Sequence, residues 1–277
     1  MGIAVALHLG ASIDMSKALA FQVTIWSAQL AGALANEYTD VGTDVLNKNR
    51  TWFSGGSGMI VANRISRKTA AYLAVAWSVV CASTAATLAF AMGTGWLSFA
   101  LMSLGLFLAL AYSVRPVALS YRGLGELAMA VNVSFLATIA SFLVQFGSLD
   151  RLIVLVSIPL MFQMLGLMMV VQNPDFEADA GAGKRNLVVR LGRKRAWTAG
   201  ILVLLLGAIS SLLGGLFGLP GDVAMIIAAA LFAEAALFKI LQPRSGTKRI
   251  MFWTTAASAG FYVLAITAAA AWFYLKT

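Results

Sequence analysis

Long apolar segments separated by short polar loops dominate the pattern along the chain. A helix needs roughly 20 apolar residues to cross a hydrocarbon core of about 30 Å, and eight segments reach about that length. The pattern therefore predicts an all-α polytopic membrane bundle with eight full spans. The predicted spans are residues 18–36, 70–92, 95–112, 124–147, 152–173, 196–217, 221–241 and 250–275.

A further apolar stretch, residues 2–13, precedes the first full span. Roughly a dozen residues are too few to cross a bilayer, and the stretch lacks the basic n-region of a signal peptide. We therefore expect residues 2–13 to form a shortened first helix that ends on the non-cytoplasmic side. With the eight full spans it makes a nine-helix arrangement, and residues 1–277 are expected to form a single domain.

The composition excludes several classes of protein. Hydrophobic residues make up 60% of the chain and charged residues 11%, whereas a soluble domain is typically about a quarter charged. A single cysteine, Cys81, excludes an intrachain disulfide and any cysteine-based metal site, and a single histidine, His8, excludes zinc sites built on several imidazoles. Any chemistry must therefore use carboxylates, amides, hydroxyls and cations.

The basic residues indicate how the chain is oriented in the membrane. A net charge of +9 would suggest a nucleic-acid partner for a soluble protein, but here 17 of the 20 basic residues lie in or beside loops on one side of the predicted spans. By the positive-inside rule that side is cytoplasmic. We expect a multi-pass protein of the cell membrane with no nucleic-acid partner. The cytoplasmic loops are predicted at residues 37–69, 113–123, 174–195 and 242–249.

Acidic residues are rare, and two groups of them repeat one spacing. Asn36, Asp40 and Asp44 are four residues apart, so in a helix they share one face, and Asp175 and Asp179 repeat this spacing on the same side of the membrane. Carboxylate and amide oxygens suit Mg²⁺, which usually completes its shell with substrate phosphates. The two faces therefore suggest a diphosphate held by bridging Mg²⁺ ions. The alternative is that they are solvated carboxylates that neutralise nearby basic residues.

Three segments carry recognisable motifs: residues 36–44 (NEYTDVGTD), residues 175–192 (DFEADAGAGKRNLVVRLG) and residues 112–126 (YSVRPVALSYRGLGE). Together they resemble the UbiA superfamily of intramembrane prenyltransferases, and the resemblance covers essentially the whole chain. The third segment looks like the central loop of the branch that makes menaquinone precursors from 1,4-dihydroxy-2-naphthoate. One departure is Glu37, which replaces the aspartate that usually follows the first asparagine.

The resemblance implies nine helices around a central cavity that the motif loops cap on the cytoplasmic face. It also implies Mg²⁺-dependent transfer of a polyprenyl group from a polyprenyl diphosphate to an acceptor, commonly an aromatic ring, within membrane lipid. The catalytic carboxylates would be those of Asp40, Asp44, Asp175 and Asp179, which would bind Mg²⁺ together with Asn36. The remaining substrate-binding residues would be Arg50, Tyr112, Ser113, Arg115, Glu126, Lys184 and Arg185.

Each of these substrate contacts has an alternative. Lys184, Arg185, Arg115 and Arg50 are placed to hold diphosphate oxygens, but basic residues also serve topology alone. Tyr112 could face a carbocation, donate a hydrogen bond to the diphosphate, or do neither as an interfacial tyrosine. An ionisable group near a membrane boundary is costly, so Glu126 could anchor or deprotonate the acceptor, or simply pair with Arg122.

Two other functions are compatible with part of this pattern. Within the superfamily, the acceptor could be a different aromatic ring, a glycerophosphate or a phosphosugar. Outside it, a secondary transporter would also use polar residues in its spans. The predicted spans contain few charges and the carboxylates cluster at the cytoplasmic ends, which favours a diphosphate site over an ion path.

Overall fold

The computed structural model describes residues 1–47, 51, 56–242 and 248–277, and the elements in these ranges are all helical. Two π-helical segments, Thr87–Ala91 and Val131–Leu136, directly follow α-helices. The α-helices are α1 (Gly2–His8), α2 (Met15–Thr39), α3 (Val41–Leu46), α4 (Arg67–Ala86), α5 (Gly95–Ala111), α6 (Gly125–Ala130), α7 (Ala137–Phe146), α8 (Arg151–Val171), α9 (Phe176–Gly181), α10 (Leu187–Leu191), α11 (Arg193–Leu216), α12 (Gly221–Leu241) and α13 (Lys248–Leu275).

The prediction of an all-α membrane bundle is confirmed, and each predicted span coincides with a helix. Seven helices of the described chain are long and apolar enough to cross a membrane, where α6, its π segment and α7 count as one. The eighth, α5, has 17 residues, at the lower end of the spanning range of about 17–25 residues. The chain is therefore a multi-pass membrane protein.

Side-chain caps begin several of these helices where the apolar segments start. The carboxylate of Asp14 accepts the backbone N–H of Lys17 at the start of α2, and Ser66 and Asp150 cap α4 and α8 in the same way. Each cap satisfies one of the backbone donors that a helix N-terminus leaves without an intrahelical partner. The caps place the ends of the spans at the polar boundaries of the bundle.

The first helix is shorter than predicted, because α1 ends at His8 and not at residue 13. Gly10 takes a left-handed conformation (φ +87°), and the N–H of Ala11 bonds the carbonyl of Ala6, an arrangement that terminates helices. The backbone of α1 lies directly against α7, since a Cβ on Gly2 would come within 1.9 Å of Ser141 Oγ. The side-chain amide of Gln145 accepts the backbone N–H of Asp14 and donates to its carbonyl, and these two bonds join the start of α2 to the end of α7.

The two halves of the bundle are packed differently. In the second half, α8, α11 and α12 enclose a continuous core that includes Trp197, Leu204 and Phe238. The first half has a smaller buried cluster, which includes Phe21, Leu88 and Met102. The helices of the first half enclose a cavity where the second half has a core.

Candidate active site

The two aspartate faces meet in one polar pocket of about 260 Å³ at the end of the bundle where α2 finishes and α9 begins. All five residues predicted to bind metal line this pocket, and so do two of the predicted substrate-binding residues, Tyr112 and Lys184. The full lining is Asn36, Asp40, Thr43, Asp44, Asn47, Gly56, Tyr112, Met168, Val171, Gln172, Asp175, Asp179 and Lys184. Residues 36 and 175, which are 139 positions apart in the sequence, thus line the same pocket.

An ion pair links the two motifs across the pocket. The ammonium of Lys184 lies 2.9 Å from Asp40 Oδ2 and 3.5 Å from Asp179 Oδ1, and all three side chains are buried. Burial is the largest single effect and lowers the pKa of Lys184, but the combined attraction of Asp40, Tyr112 and Asp179 outweighs burial and holds that pKa above its ordinary value. Burial raises the pKa of Asp179, against the attraction of Lys184.

Each of these two carboxylates is also held by a neutral donor at its other oxygen. The hydroxyl of Tyr121 donates to Asp40 Oδ1 (2.8 Å), and the side-chain amide of Asn186 donates to Asp179 Oδ2 (2.6 Å). Asn186 also caps α10 by accepting the N–H of Val189. Sequence reasoning did not select Tyr121 or Asn186 as site residues, although both stand inside the quoted motif segments.

The donor set of the pocket fits Mg²⁺. Carboxylate and amide oxygens are the ligands that Mg²⁺ prefers, and the buried Oδ1 of Asn36 has no hydrogen-bond partner among the described residues. Within the part of the chain that the structure describes, no three Asp, Glu, His or Cys side chains lie close enough to hold a metal by themselves. The side-chain amide of Asn47 donates a hydrogen bond to Asp175 Oδ1 (2.7 Å). The pocket would therefore need oxygens from a ligand to complete a metal shell.

An apolar cavity of about 530 Å³ continues from the polar pocket toward the opposite side of the bundle. Asn36 and Tyr112 line both spaces, so they form the boundary between them. The remaining wall comes from α2, α4, α5, α6, the following π segment and α7: Thr24, Ile25, Ala28, Gln29, Gly32, Ala33, Cys81, Leu101, Met102, Gly105, Ala109, Met129, Asn132, Val133, Leu136, Ala137 and Ala140.

Tyr112 is fixed at this boundary by its neighbours. A Cβ on Gly125 would come within 2.9 Å of Tyr112 Cε2, so the ring packs where Gly125 has no side chain. A phenolic hydroxyl is protonated at neutral pH, so Tyr112 can donate a hydrogen bond at the boundary between the two spaces.

Of the other predicted substrate-binding residues that the structure describes, Ser113, Arg115, Glu126 and Arg185 line neither space. Ser113 is buried beside Tyr112, Arg115 and Arg185 are exposed, and Arg50 lies outside the described residues.

Glu126 has a different partner from the one suggested by the sequence. Its carboxylate accepts the backbone N–H of Leu187 (2.7 Å) in the first turn of α10, whereas Arg122 donates to the carbonyl of Pro116 (2.6 Å). The suggested pairing of Glu126 with Arg122 is therefore wrong. Because unpaired N–H groups and the positive end of the helix dipole meet at a helix N-terminus, a carboxylate is favoured there. Glu126 thus joins the central loop to the second aspartate motif.

Glu37, the departure from the usual motif, faces a glycine-containing loop and does not line the pocket. Its carboxylate accepts the N–H of Ser57. Gly56, which lines the pocket in a left-handed conformation (φ +64°), packs against Glu37 and Asp44 so closely that a Cβ would collide with both carboxylates. The longer carboxylate at position 37 therefore holds a loop against the pocket.

Comparison with known families settles the relationship of the chain. A model of the UbiA prenyltransferase family matches residues 1–256. The chain belongs to the UbiA prenyltransferase family. It is 28% identical over 189 residues to a 1,4-dihydroxy-2-naphthoate octaprenyltransferase of Bacillus subtilis (strain 168). This match covers 67% of the chain but only 58% of that relative's length.

Solved structures of UbiA homologues share the fold. A UbiA homolog from Archaeoglobus fulgidus bound to GPP and Mg²⁺ aligns with a TM-score of 0.69 at 17% identity, covering 96% of this chain and 93% of that chain. The apo structure of a UbiA homolog from Aeropyrum pernix K1 aligns with a TM-score of 0.69 at 18% identity, covering 96% and 94%. The predicted UbiA-type helical arrangement is confirmed.

Proposed function

We propose that this UbiA chain transfers a prenyl group from a prenyl diphosphate to an aromatic acceptor in an Mg²⁺-dependent reaction. The observation that carries the proposal is the junction at Asn36 and Tyr112, where a buried aspartate-lined pocket opens into an apolar cavity. A diphosphate with a long hydrocarbon tail has the same two parts. The UbiA homologue of Archaeoglobus fulgidus has been solved with GPP and with DMAPP, each with Mg²⁺.

The residues of the pocket would act on the leaving group. Bound Mg²⁺ would neutralise charge on the diphosphate so that its allylic C–O bond can ionise. Asn36, Asp40, Asp44, Asp175 and Asp179 would hold the metal, and Lys184 would donate hydrogen bonds to diphosphate oxygens. Stabilising charge on a departing anion in a site shielded from water is the largest contribution that fixed groups make to catalysis.

The apolar cavity would protect the reacting carbon. A carbocation formed at the boundary is captured by water unless water is excluded, and the wall beyond Tyr112 is predominantly apolar. The face of the Tyr112 ring would stabilise positive charge, and its hydroxyl would donate a hydrogen bond to the departing diphosphate.

The acceptor is proposed to be 1,4-dihydroxy-2-naphthoate or a closely related ring, which places the reaction in menaquinone biosynthesis. This finer assignment is supported by the Bacillus subtilis relative and by the central loop of residues 112–126. A test uses the purified full chain in lipid nanodiscs, radiolabelled prenyl diphosphates and a panel of acceptors. Transfer to the naphthoate in the presence of Mg²⁺ is expected. Transfer only to another ring, a glycerophosphate or a phosphosugar would reject this acceptor, and no transfer to any acceptor would reject the proposed function.

The pocket is proposed to face the cytoplasm, as the distribution of basic residues predicts. Ala182 and Ser148 are exposed at opposite ends of the bundle. In a Cys81→Ser background, an Ala182→Cys variant should react with a membrane-impermeant maleimide applied from the cytoplasmic side, and a Ser148→Cys variant should react only from the other side. Labelling of both variants from one side would contradict this topology.

Removing the Tyr121 hydroxyl should lower the rate of prenyl transfer but leave the pocket folded. Tyr121→Phe deletes the donor to Asp40, and a hydrogen bond to a charged group contributes enough that we expect transfer to fall about ten- to a hundredfold. Initial rates over a range of Mg²⁺ concentrations measure the effect. Tyr72→Phe, which alters a side chain exposed on the lipid-facing surface, is the matched control. Equal rates for both variants would remove Tyr121 from the site.

A further inference from the structure

The position of Lys184 between Asp40 and Asp179 bears on how a metal and a diphosphate enter the pocket. Its ammonium contacts one oxygen of each carboxylate, at 2.9 Å and 3.5 Å. The remaining oxygen of each carboxylate is occupied by the hydroxyl of Tyr121 or the amide of Asn186. The two oxygens that face Lys184 are therefore the ones that would become available to a cation if the ammonium moved.

We propose that Lys184 is a displaceable counter-ion, which blocks the metal site until a diphosphate draws its ammonium away from Asp40 and Asp179. The proposal rests on the proposed function, because it assigns a binding order to the same pocket. It predicts that divalent metal and diphosphate bind cooperatively, and that each binds weakly without the other.

The carboxylates are built to stay in place when the lysine leaves. Neither Tyr121 nor Asn186 carries a charge or depends on Lys184 for its position, since Asn186 caps α10 and Tyr121 lies in the 3₁₀ turn Leu119–Tyr121. Asp40 and Asp179 thus keep one fixed hydrogen bond each.

Lys184, by contrast, is held through its backbone, through the ion pairs and through a contact of its ammonium with the Tyr121 ring. Its N–H bonds the carbonyl of Asp179 (2.9 Å), which fixes its Cα at the end of α9, while the four-carbon side chain is flexible. The ammonium lies 5.6 Å from the centre of the Tyr121 ring. The ring stabilises the positive charge independently of the two carboxylates. The charged group can therefore move while the loop stays folded.

The charges in the pocket explain why a metal ion replaces the Lys184 ammonium only when a diphosphate is bound. A divalent cation placed beside the ammonium would meet like charge at short range in a buried site, where screening is weak. A diphosphate supplies negative charge for both cations, so the ammonium can turn to the diphosphate while the metal takes the carboxylate oxygens. Coupling of this kind is reciprocal: each ligand raises the affinity for the other by the same factor.

The test measures binding and needs no turnover. Mn²⁺, followed by electron paramagnetic resonance, is titrated into the purified full chain in nanodiscs, with and without inorganic pyrophosphate. The Lys184→Met variant should bind Mn²⁺ alone at least about tenfold more tightly than the wild type, and pyrophosphate should raise its Mn²⁺ affinity by a smaller factor than it does in the wild type. Lys184→Arg, which keeps the charge, should behave like the wild type, and Lys194→Met, which alters an exposed lysine, is the matched control.

An Mn²⁺ affinity of Lys184→Met that equals or falls below that of the wild type would overturn the proposal. If Lys184→Met does not fold, the wild type decides through thermal unfolding. Mn²⁺ should raise Tm far more in the presence of pyrophosphate than in its absence, after the rise caused by pyrophosphate alone is subtracted. Equal Mn²⁺-dependent rises in Tm with and without pyrophosphate would overturn the proposal. Failure of the proposed function would appear differently, as the absence of prenyl transfer with every donor and acceptor, whatever the metal titration shows.

Discussion

Asp179→Asn is expected to lower prenyl transfer by about a hundredfold or more, the loss typical when one group of a preorganised electrostatic site is removed. The substitution keeps the size of the side chain but removes its charge, and Asp179 is one of the two carboxylates that contact Lys184. The same change at Asp40, Asp44 or Asp175 should have a similar effect, since all four line the polar pocket. Initial rates at saturating and at limiting Mg²⁺ measure the loss.

A control in the same motif separates catalysis from folding. Glu177→Gln alters a half-exposed carboxylate two residues away that pairs with Arg193 outside the pocket, so it should transfer at close to the wild-type rate. Both variants should retain the helical circular-dichroism spectrum and the gel-filtration profile of the wild type. Near-normal transfer by Asp179→Asn at ordinary Mg²⁺ would remove Asp179 from the metal site.

Filling the apolar cavity is expected to affect donors according to the length of their tails. Ala28 lines the cavity on α2, about 12 Å along the helix from Asn36 at a rise of 1.5 Å per residue. Ala28→Trp should reduce kcat/KM for long prenyl diphosphates by about a hundredfold, because the indole would occupy the space of the chain and overpacking also strains the wall. Dimethylallyl diphosphate, whose single unit stays near the boundary, should react almost normally.

The control for this prediction is the same substitution on the outer surface. Ala76 is exposed on α4 and does not line the cavity, so Ala76→Trp should leave the dependence on tail length unchanged. Rates for a series of donors from one to eight isoprene units would be compared across the three proteins. A uniform loss for all donors in Ala28→Trp would indicate general damage to the bundle and contradict the placement of the tail.

Much of the architecture and part of the site could be predicted from local patterns in the sequence. Apolar segments of spanning length determine the helices because a bilayer has a nearly fixed thickness. The four-residue spacing of Asn36, Asp40 and Asp44 predicts one helical face. In the structure α2 ends at Thr39 and α3 begins at Val41, but the N–H groups of Asp40 and Asp44 still bond the carbonyls four residues earlier, as in a continuous helix. The structure adds that Asp175 and Asp179 face them across one pocket.

Contacts made through tertiary folding could not be predicted in the same way. The bond from Glu126 to the N–H of Leu187 joins residues 61 positions apart, and no local pattern distinguishes it from a pairing with Arg122. Glu234 is a second example: it is fully buried within α12, where Gln163 of α8 and Ser258 of α13 donate to its carboxylate. A single acidic residue in an apolar segment does not reveal which neighbouring helices will supply its donors.

The unequal packing of the two halves gives the hydrocarbon tail a structural role. In the second half, side chains such as Trp197 and Phe238 fill the interior, whereas the first half surrounds about 530 Å³ of apolar space. Under the proposed function, a bound prenyl chain would serve as the missing core between α2, α5 and α7. The donor would then be part of the folded structure as well as a reactant, and amide hydrogen exchange in α2 would slow with each isoprene unit that the cavity takes up.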